Sequence, residues 1–230
     1  MRKLAPNVII AQARTTSTRL PGKIFKEMLG EPAIVHFLDA CSKAETIDKV
    51  ILAVPESQKK EFDFLVSMYP RLVVFGGDEE DVLSRFYEAS KPERPGNIVR
   101  LTSDCFLMQP QIIDMCVRMF SESDADYLTN YNLKCTEDDP DDYESLTETP
   151  DGFCVEVFTC EALEEAHLSA SEKYDREHVT PWIKRNKKCI AESSGKLLLS
   201  GKLSVDTQED FDTVESVLSL IKKGRVKVDF

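Results

Sequence analysis

Short apolar runs alternate along the first half of the chain with stretches in which apolar residues recur every three or four positions. Val8-Ile9-Ile10-Ala11 opens the pattern. As an unbroken run it predicts a strand from Val8 to Ala13 buried on both faces, the habit of a parallel sheet. Behind Pro32, Ala33-Ile34-Val35-His36-Phe37-Leu38-Asp39-Ala40 carries helical spacing with a first-turn proline. The unit then repeats: strand Lys49 to Val54, a helix from about Ser57 to Tyr69, strand Leu72 to Phe75 ending in Gly76-Gly77-Asp78, helix 81–89 and strand Asn97 to Leu101. A helix near Pro110–Ser121 and a strand near Ala125–Thr129 follow. This alternation predicts an α/β fold, a mostly parallel, Rossmann-like sheet with helices on both faces and ligands at the carboxyl ends of its strands.

From residue 130 the rhythm breaks. Glu137, Asp138, Asp139, Asp141, Asp142, Glu144 and Glu148 crowd a stretch with Pro140 and no base after Lys134, which reads as a solvated or mobile excursion inserted in the fold. A strand from Phe153 to Phe158, a helix at 160–170, a helix beginning near Arg176 and a hairpin-like segment around Leu197–Lys202 are expected next. Leu203-Ser204-Val205-Asp206 and an amphipathic helix at 209–222 close the chain, and 230 residues suit one domain, 1–230, without internal repeats.

Composition narrows the function. Forty-one Asp and Glu against 29 Lys and Arg give a net charge of −12, which argues against nucleic acid as a partner because a phosphate backbone needs an extended basic face. No apolar run is long enough to cross a bilayer, so a membrane location is not expected. Met1-Arg2-Lys3 superficially imitates a signal peptide, but Pro6 and Asn7 interrupt it. Seven scattered cysteines without a C-x-x-C pair suit reduced thiols in a cytoplasm. The charge is uneven, however: in residues 1–30 six bases face one acid, Glu27. A small anion is the natural candidate for that local field.

The loop after the first strand, QARTTSTRLPGK at residues 12–23, has neither the Walker A nor the G-x-G-x-x-G spacing. Arg14, Arg19 and Lys23 with backbone N–H groups could surround a triphosphate, the guanidinium forks bridging oxygens and Lys23 acting as a point charge. A basic surface turn would look the same in composition. Asp104 and Asp206, each expected just after a strand, would stand on the ligand edge and could share Mg²⁺, which commonly takes one or two carboxylates beside substrate phosphates. Either could instead form a turn or cap a helix, Asp206 that of the last helix. Arg176-Glu177-His178 at a helix start could meet an acidic group on a second substrate, or could simply be a dipole-matched acid and a packed histidine. His36 and His167 lie inside amphipathic helices and read as structural.

Six ordered blocks, IIAQARTTSTRLPGK, GDEEDVLSRFYEA, VRLTSDC, PDGFCVEVF, REHVTPWI and LSVDTQED, resemble the cytidylyltransferases that include the spore coat polysaccharide biosynthesis protein F-like enzymes. More distantly they resemble the synthetases of CMP-activated Kdo and acylneuraminic acids. The resemblance runs from about residue 7 to 220 and implies a nucleotide-diphospho-sugar transferase-like fold. It also implies attack of an acceptor oxygen on the α-phosphorus of CTP with loss of pyrophosphate. By position it implies that Arg14, Ser17, Arg19 and Lys23 bind CTP, that Asp104 and Asp206 bind Mg²⁺, and that Arg176 and His178 serve an acidic sugar or phosphorylated polyol acceptor. A nucleotide-binding half to about residue 129, an acceptor-binding and dimerisation half beyond it, a homodimer, and a place in surface polysaccharide synthesis are further implications. Two positions depart from the family pattern: Cys105-Phe106 replaces the usual proline after Asp104, and Cys154 stands where an acid is common. A glycosyltransferase of similar fold would need a second acid in place of Phe106, and a non-catalytic nucleotide-binding protein would not need to keep both acids and all three loop cations.

Overall fold

The computed structural model describes residues 5–131, 149–193 and 201–226. The acidic stretch at 137–148 and residues 197–200 of the expected hairpin lie outside them. The first element is β1 (Asn7–Gln12), followed by a short 3₁₀ turn at Lys23–Phe25, the small antiparallel pair β2 (Glu27–Met28) and β3 (Glu31–Pro32), and α1 (Ala33–Lys43). Then come β4 (Lys49–Pro55), a 3₁₀ segment Glu56–Phe62 running into α2 (Asp63–Val66), β5 (Leu72–Gly77), α3 (Val82–Ser90) and β6 (Asn97–Thr102). After α4 (Pro110–Glu122) and β7 (Tyr127–Thr129), the chain returns as β8 (Glu156–Thr159), α5 (Cys160–Ser169), α6 (Lys173–His178), α7 (Pro181–Asn186), β9 (Cys189–Ala191) and α8 (Gln208–Lys222).

Seven strands form one sheet in the order β5-β4-β1-β6-β8-β7-β9, with β8 antiparallel to both neighbours and the other pairs parallel. Residues of β1 point alternately to two cores. Ile9 and Ala11 join α1, α4 and α8 on one face, and Val8 and Ile10 join α3, α5 and α7 on the other. The chain leaves β1 toward β4 and β5 and later returns to β1's other side as β6. Strand order therefore reverses there, and the loops after β1 and β6 flank the crevice where such sheets bind ligands.

Three local expectations are corrected. The region read as one helix from Ser57 to Tyr69 is a 3₁₀ segment and a single α turn, in which Gln58 is buried and bonds the loop after β1 instead of facing water. The helix expected to begin near Arg176 runs from Lys173 to His178, so Arg176 and His178 occupy its last turn and lose the N-terminal dipole argued for them. Asp206 follows no strand: Leu203–Asp206 is an irregular segment whose Leu203 and Val205 are buried and whose Val205 N–H donates to Asp104 O at 3.3 Å.

Gly152 explains the close approach behind that segment. Its φ is +99°, and a Cβ there would lie 2.5 Å from the Leu203 carbonyl carbon. Both the backbone angle and the backbone contact exclude a side chain. Gly152→Ala is expected to lower stability by about 2 kcal/mol or more and to displace the 203–206 segment, cutting activity further than the loss of folded protein explains. Thermal unfolding and turnover per folded molecule check this.

Candidate active site

The loop after β1 is held in shape by its own sequence. Gly22 adopts φ +67°, its N–H closes onto Thr15 O at 3.0 Å, and Leu20 and Ile24 pin the two ends into the core. Thr15 turns outward: its N–H and hydroxyl donate to Gln58 Oε1 at 2.7 and 3.1 Å, while Gln58 Nε2 donates to Thr16 Oγ1 at 3.2 Å. Thus two of the loop hydroxyls anchor the loop, and Arg14, Ser17, Thr18, Arg19 and Lys23 line a cavity of about 480 Å³, a size usual for ligand sites.

Lys23 reaches furthest. Its ammonium, with the side chain only 11 % exposed, donates to Asp104 Oδ2 at 2.8 Å, to Val205 O and to Asp206 Oδ1 at 3.4 Å. Arg19 pairs with the same Asp206 Oδ1 at 2.9 Å. Asp104 sits just beyond β6 and Asp206 just before α8, so one cation gathers carboxylates from distant parts of the chain. Asp206 is not the cap of α8: Thr207 caps it, in a reciprocal box with Asp210, and the Asp206 carboxylate is left to the cavity. Burial alone would raise the Asp206 pKa. The hydrogen bond from Lys202 and the charges of Lys23, Lys202 and Arg19 outweigh that and hold it below the usual carboxylate range.

The opposite wall contains residues that sequence reasoning missed. Glu79, Glu80, Val82 and Arg85 come from the turn after β5 and from α3. Arg85 is only 4 % exposed, donates from Nη1 to Asp78 O at 2.5 Å, and among the described residues its buried Nε has no hydrogen-bond partner. Burial lowers its pKa; Asp78 opposes this and the like charge of Arg14 adds to it. Among the described residues neither guanidinium is ion-paired with a carboxylate, although Glu79 and Glu80 line the same wall, and an anionic ligand relieves the crowding of the two like charges. Nothing in the helical pattern distinguishes Arg85 from a surface arginine, although its neighbour in GDEEDVLSRFYEA, Asp81, is recognisable as an N-cap.

The two residues expected to meet an acceptor separate. His178 lines the cavity with Lys173 and Glu177, all on α6. Arg176 does not line it. Its guanidinium turns to Asp81, with Nε 3.0 and 3.1 Å from the two carboxylate oxygens and Nη2 2.5 Å from Oδ2, and donates from Nη1 to His167 O at 2.8 Å. Arg176 is therefore a strut between α6 and the start of α3. Arg176→Ala is expected to reduce stability by roughly 1 kcal/mol, since the pair is partly exposed, and to change the CTP and acceptor KM values together. Thermal unfolding with both KM values decides it; a large rise in acceptor KM alone would return Arg176 to substrate contact.

Asp104 and Asp206 suit a shared divalent cation, because their oxygens already converge on one positive charge beside the cationic loop after β1. Among the described residues no group of three or more His, Cys, Asp or Glu gathers around a metal position, so phosphates and water would complete the shell. No helix among the described residues is long and apolar enough to cross a membrane.

Comparison with known proteins places the chain in a family. The family model for cytidylyltransferases matches residues 8–223. An uncharacterized protein of Methanocaldococcus jannaschii is 37% identical over 210 residues, covering 88% of this chain and 79% of its own. The spore coat polysaccharide biosynthesis protein SpsF of Bacillus subtilis is 27% identical over 221 residues, covering 91% and 85%. A 3-deoxy-manno-octulosonate cytidylyltransferase of Chloroherpeton thalassium is 28% identical over 118 residues, 51% of this chain but only 47% of that relative. Among solved structures, a cytidylyltransferase from Leptospira borgpetersenii superposes with a TM-score of 0.78 at 24% identity, covering 98% of this chain and 99% of that one. A CMP:2-keto-3-deoxy-manno-octonic acid synthetase complexed with CTP gives 0.64 at 15% identity, covering 94% and 100%. These two share the fold, and the family match extends over nearly the whole sheet and both of its crevice loops: the chain belongs to the cytidylyltransferase family, nucleotidyltransferases that use CTP.

Proposed function

We propose that the enzyme transfers CMP from CTP to an acidic sugar or related acceptor, with Mg²⁺, releasing pyrophosphate for surface polysaccharide synthesis. The observation that carries the reading is the convergence of Asp104 and Asp206 on Lys23 beside a loop of cations. The relatives named for 3-deoxy-manno-octulosonate and for spore coat polysaccharide support the acceptor class. The scattered thiols fit a cytoplasmic enzyme, and the homodimer implied by the family resemblance is part of the proposal.

In this reading Arg14, Ser17, Arg19 and Lys23 hold the phosphates, with Arg85 facing them from α3. Asp104 and Asp206 would hold Mg²⁺, which when bound supplies further neutralisation of phosphate charge. The acceptor oxygen attacks the α-phosphorus and its proton passes to solvent, the bond to the bridging oxygen of pyrophosphate breaks, and Lys23 stabilises the negative charge that accumulates on the leaving group. Positioning and charge suffice, and no enzyme nucleophile is required. Pyrophosphate release from CTP, measured with and without Mg²⁺ against a panel of sugar acids and phosphorylated polyols, tests the reading. Mg²⁺-dependent release with a sugar acid supports it. Release with none of them, or undiminished release without a divalent cation, overturns it.

A further inference from the structure

Beneath the cavity lies a buried polar cluster that the reaction above does not use. Glu156 on β8 is directly opposite Arg100 on β6 and is 7 % exposed. Its carboxylate accepts from Arg100 Nη1, from Tyr127 Oη at 2.5 Å and from Thr180 Oγ1 at 2.8 Å, and Lys184 Nζ lies 3.3 Å away. A carboxylate so fully engaged holds its partners as firmly as they hold it.

Two of those partners lead to the cavity. Arg100 Nη2 donates to Gln12 Oε1 at 3.3 Å. A guanidinium has donors only, so the Gln12 atom that faces it must be the oxygen, and the amide orientation is fixed by chemistry. Gln12 lines the cavity at the end of β1, and among the described residues its Nε2, with two N–H groups, has no acceptor, which leaves it to a ligand. The positive charge behind its carbonyl polarises that amide toward an anionic oxygen. On the other side Thr180 follows Val179, whose φ of +72° and ψ of −55° are closed by a Thr180 N–H to His178 O bond of 2.8 Å. This is the strained form of the γ-turn, on a fully buried β-branched residue. The Thr180–Glu156 bond helps hold the strain, and the turn sets His178 at the cavity.

The geometry points to Gln12 as the residue that donates to the carboxylate of the acceptor, a sugar acid, with Glu156 as the positioning residue that fixes Gln12 through Arg100 and His178 through Thr180. The inference rests on the transferase reading. Arg14, Arg19, Lys23 and Arg85 face the phosphates in that reading and Lys173 of α6 adds a further cation to the lining, whereas Gln12 and His178 are the cavity groups that the Glu156 cluster orients.

The test measures pyrophosphate release with CTP and four probes, 3-deoxy-manno-octulosonate, N-acetylneuraminate and the methyl ester of each, alongside CTP dissociation constants by equilibrium titration. Gln12→Leu is expected to raise the KM for the acid by on the order of tenfold or more while the CTP dissociation constant stays within about twofold. Gln12→Glu should abolish the preference for acid over ester, because the new carboxylate pairs with Arg100 and offers no donor. Glu156→Gln should reproduce the first pattern; if it fails to fold, the Gln12 variants decide alone. An unchanged acid KM in Gln12→Leu, or a CTP constant that rises with it, overturns the assignment. If the wild-type enzyme accepts only uncharged or phosphorylated polyols, the carboxylate assignment falls while the transferase reading stands; if it releases pyrophosphate with no acceptor at all, the reading itself falls.

Discussion

Lys23→Met is expected to cost at least about 100-fold in kcat/KM, roughly 3 kcal/mol of transition-state stabilisation, the scale seen when one preorganised electrostatic group is removed. The residue lies at the meeting point of Asp104, Val205 and Asp206, with little solvent to replace its charge. Methionine keeps the length and apolar stem but leaves the two carboxylates facing each other without the cation between them. CTP affinity should therefore fall along with turnover, as a positive charge near the leaving phosphates acts in the bound state and more strongly in the transition state. Steady-state kinetics with an equilibrium CTP titration measure both. If CTP affinity and kcat stay near wild type and only thermal stability changes, the loop is the basic surface turn its composition also permits.

Asp104→Asn and Asp206→Asn are expected to be almost as damaging, each reducing kcat by on the order of 100-fold or more in Mg²⁺ at nearly constant shape. Asp206 has its pKa held down in the folded state, so its ionised form contributes stability above the ordinary carboxylate pKa that is lost as pH falls through the depressed value. Asp206→Asn should thus destabilise at neutral pH and lose that deficit under acid, while the catalytic deficit persists. Thermal unfolding across pH with Mg²⁺-dependent turnover separates the two. Near-normal turnover for either variant removes that acid from the mechanism.

What could be read in the sequence follows from how local each signal is. Pro21-Gly22 and the flanking cations specify a turn and its charge within a dozen residues, so the loop was visible, as was the sheet edge carrying Asp104. Leu203 to Asp206 alternates like a strand and does bury Leu203 and Val205, yet the partners it docks against are the backbones of Asp104 and Asp151, which no periodicity can name. Arg176 and His178 are two residues apart on one short helix and therefore point in different directions, one to Asp81 and one to the cavity. Arg85 was hidden for the opposite reason. Its place beside Val82, Leu83 and Phe86 looks like the polar flank of an amphipathic helix, and only the packing of α3 beside the crevice turns it inward. Gln12 and Glu156 depend on a cross-strand contact between β6 and β8, whose antiparallel pairing was not apparent from a chain that otherwise reads as parallel.

The most direct test of the account is the identity of the products. Purified enzyme is incubated with CTP, Mg²⁺ and a sugar acid, and the mixture is resolved by ³¹P NMR and mass spectrometry. Pyrophosphate and a CMP–sugar phosphodiester are expected in equal amounts, both absent when the acceptor is omitted. Appearance of CDP with inorganic phosphate, or transfer from a nucleotide-sugar donor while CTP is left intact, would contradict it.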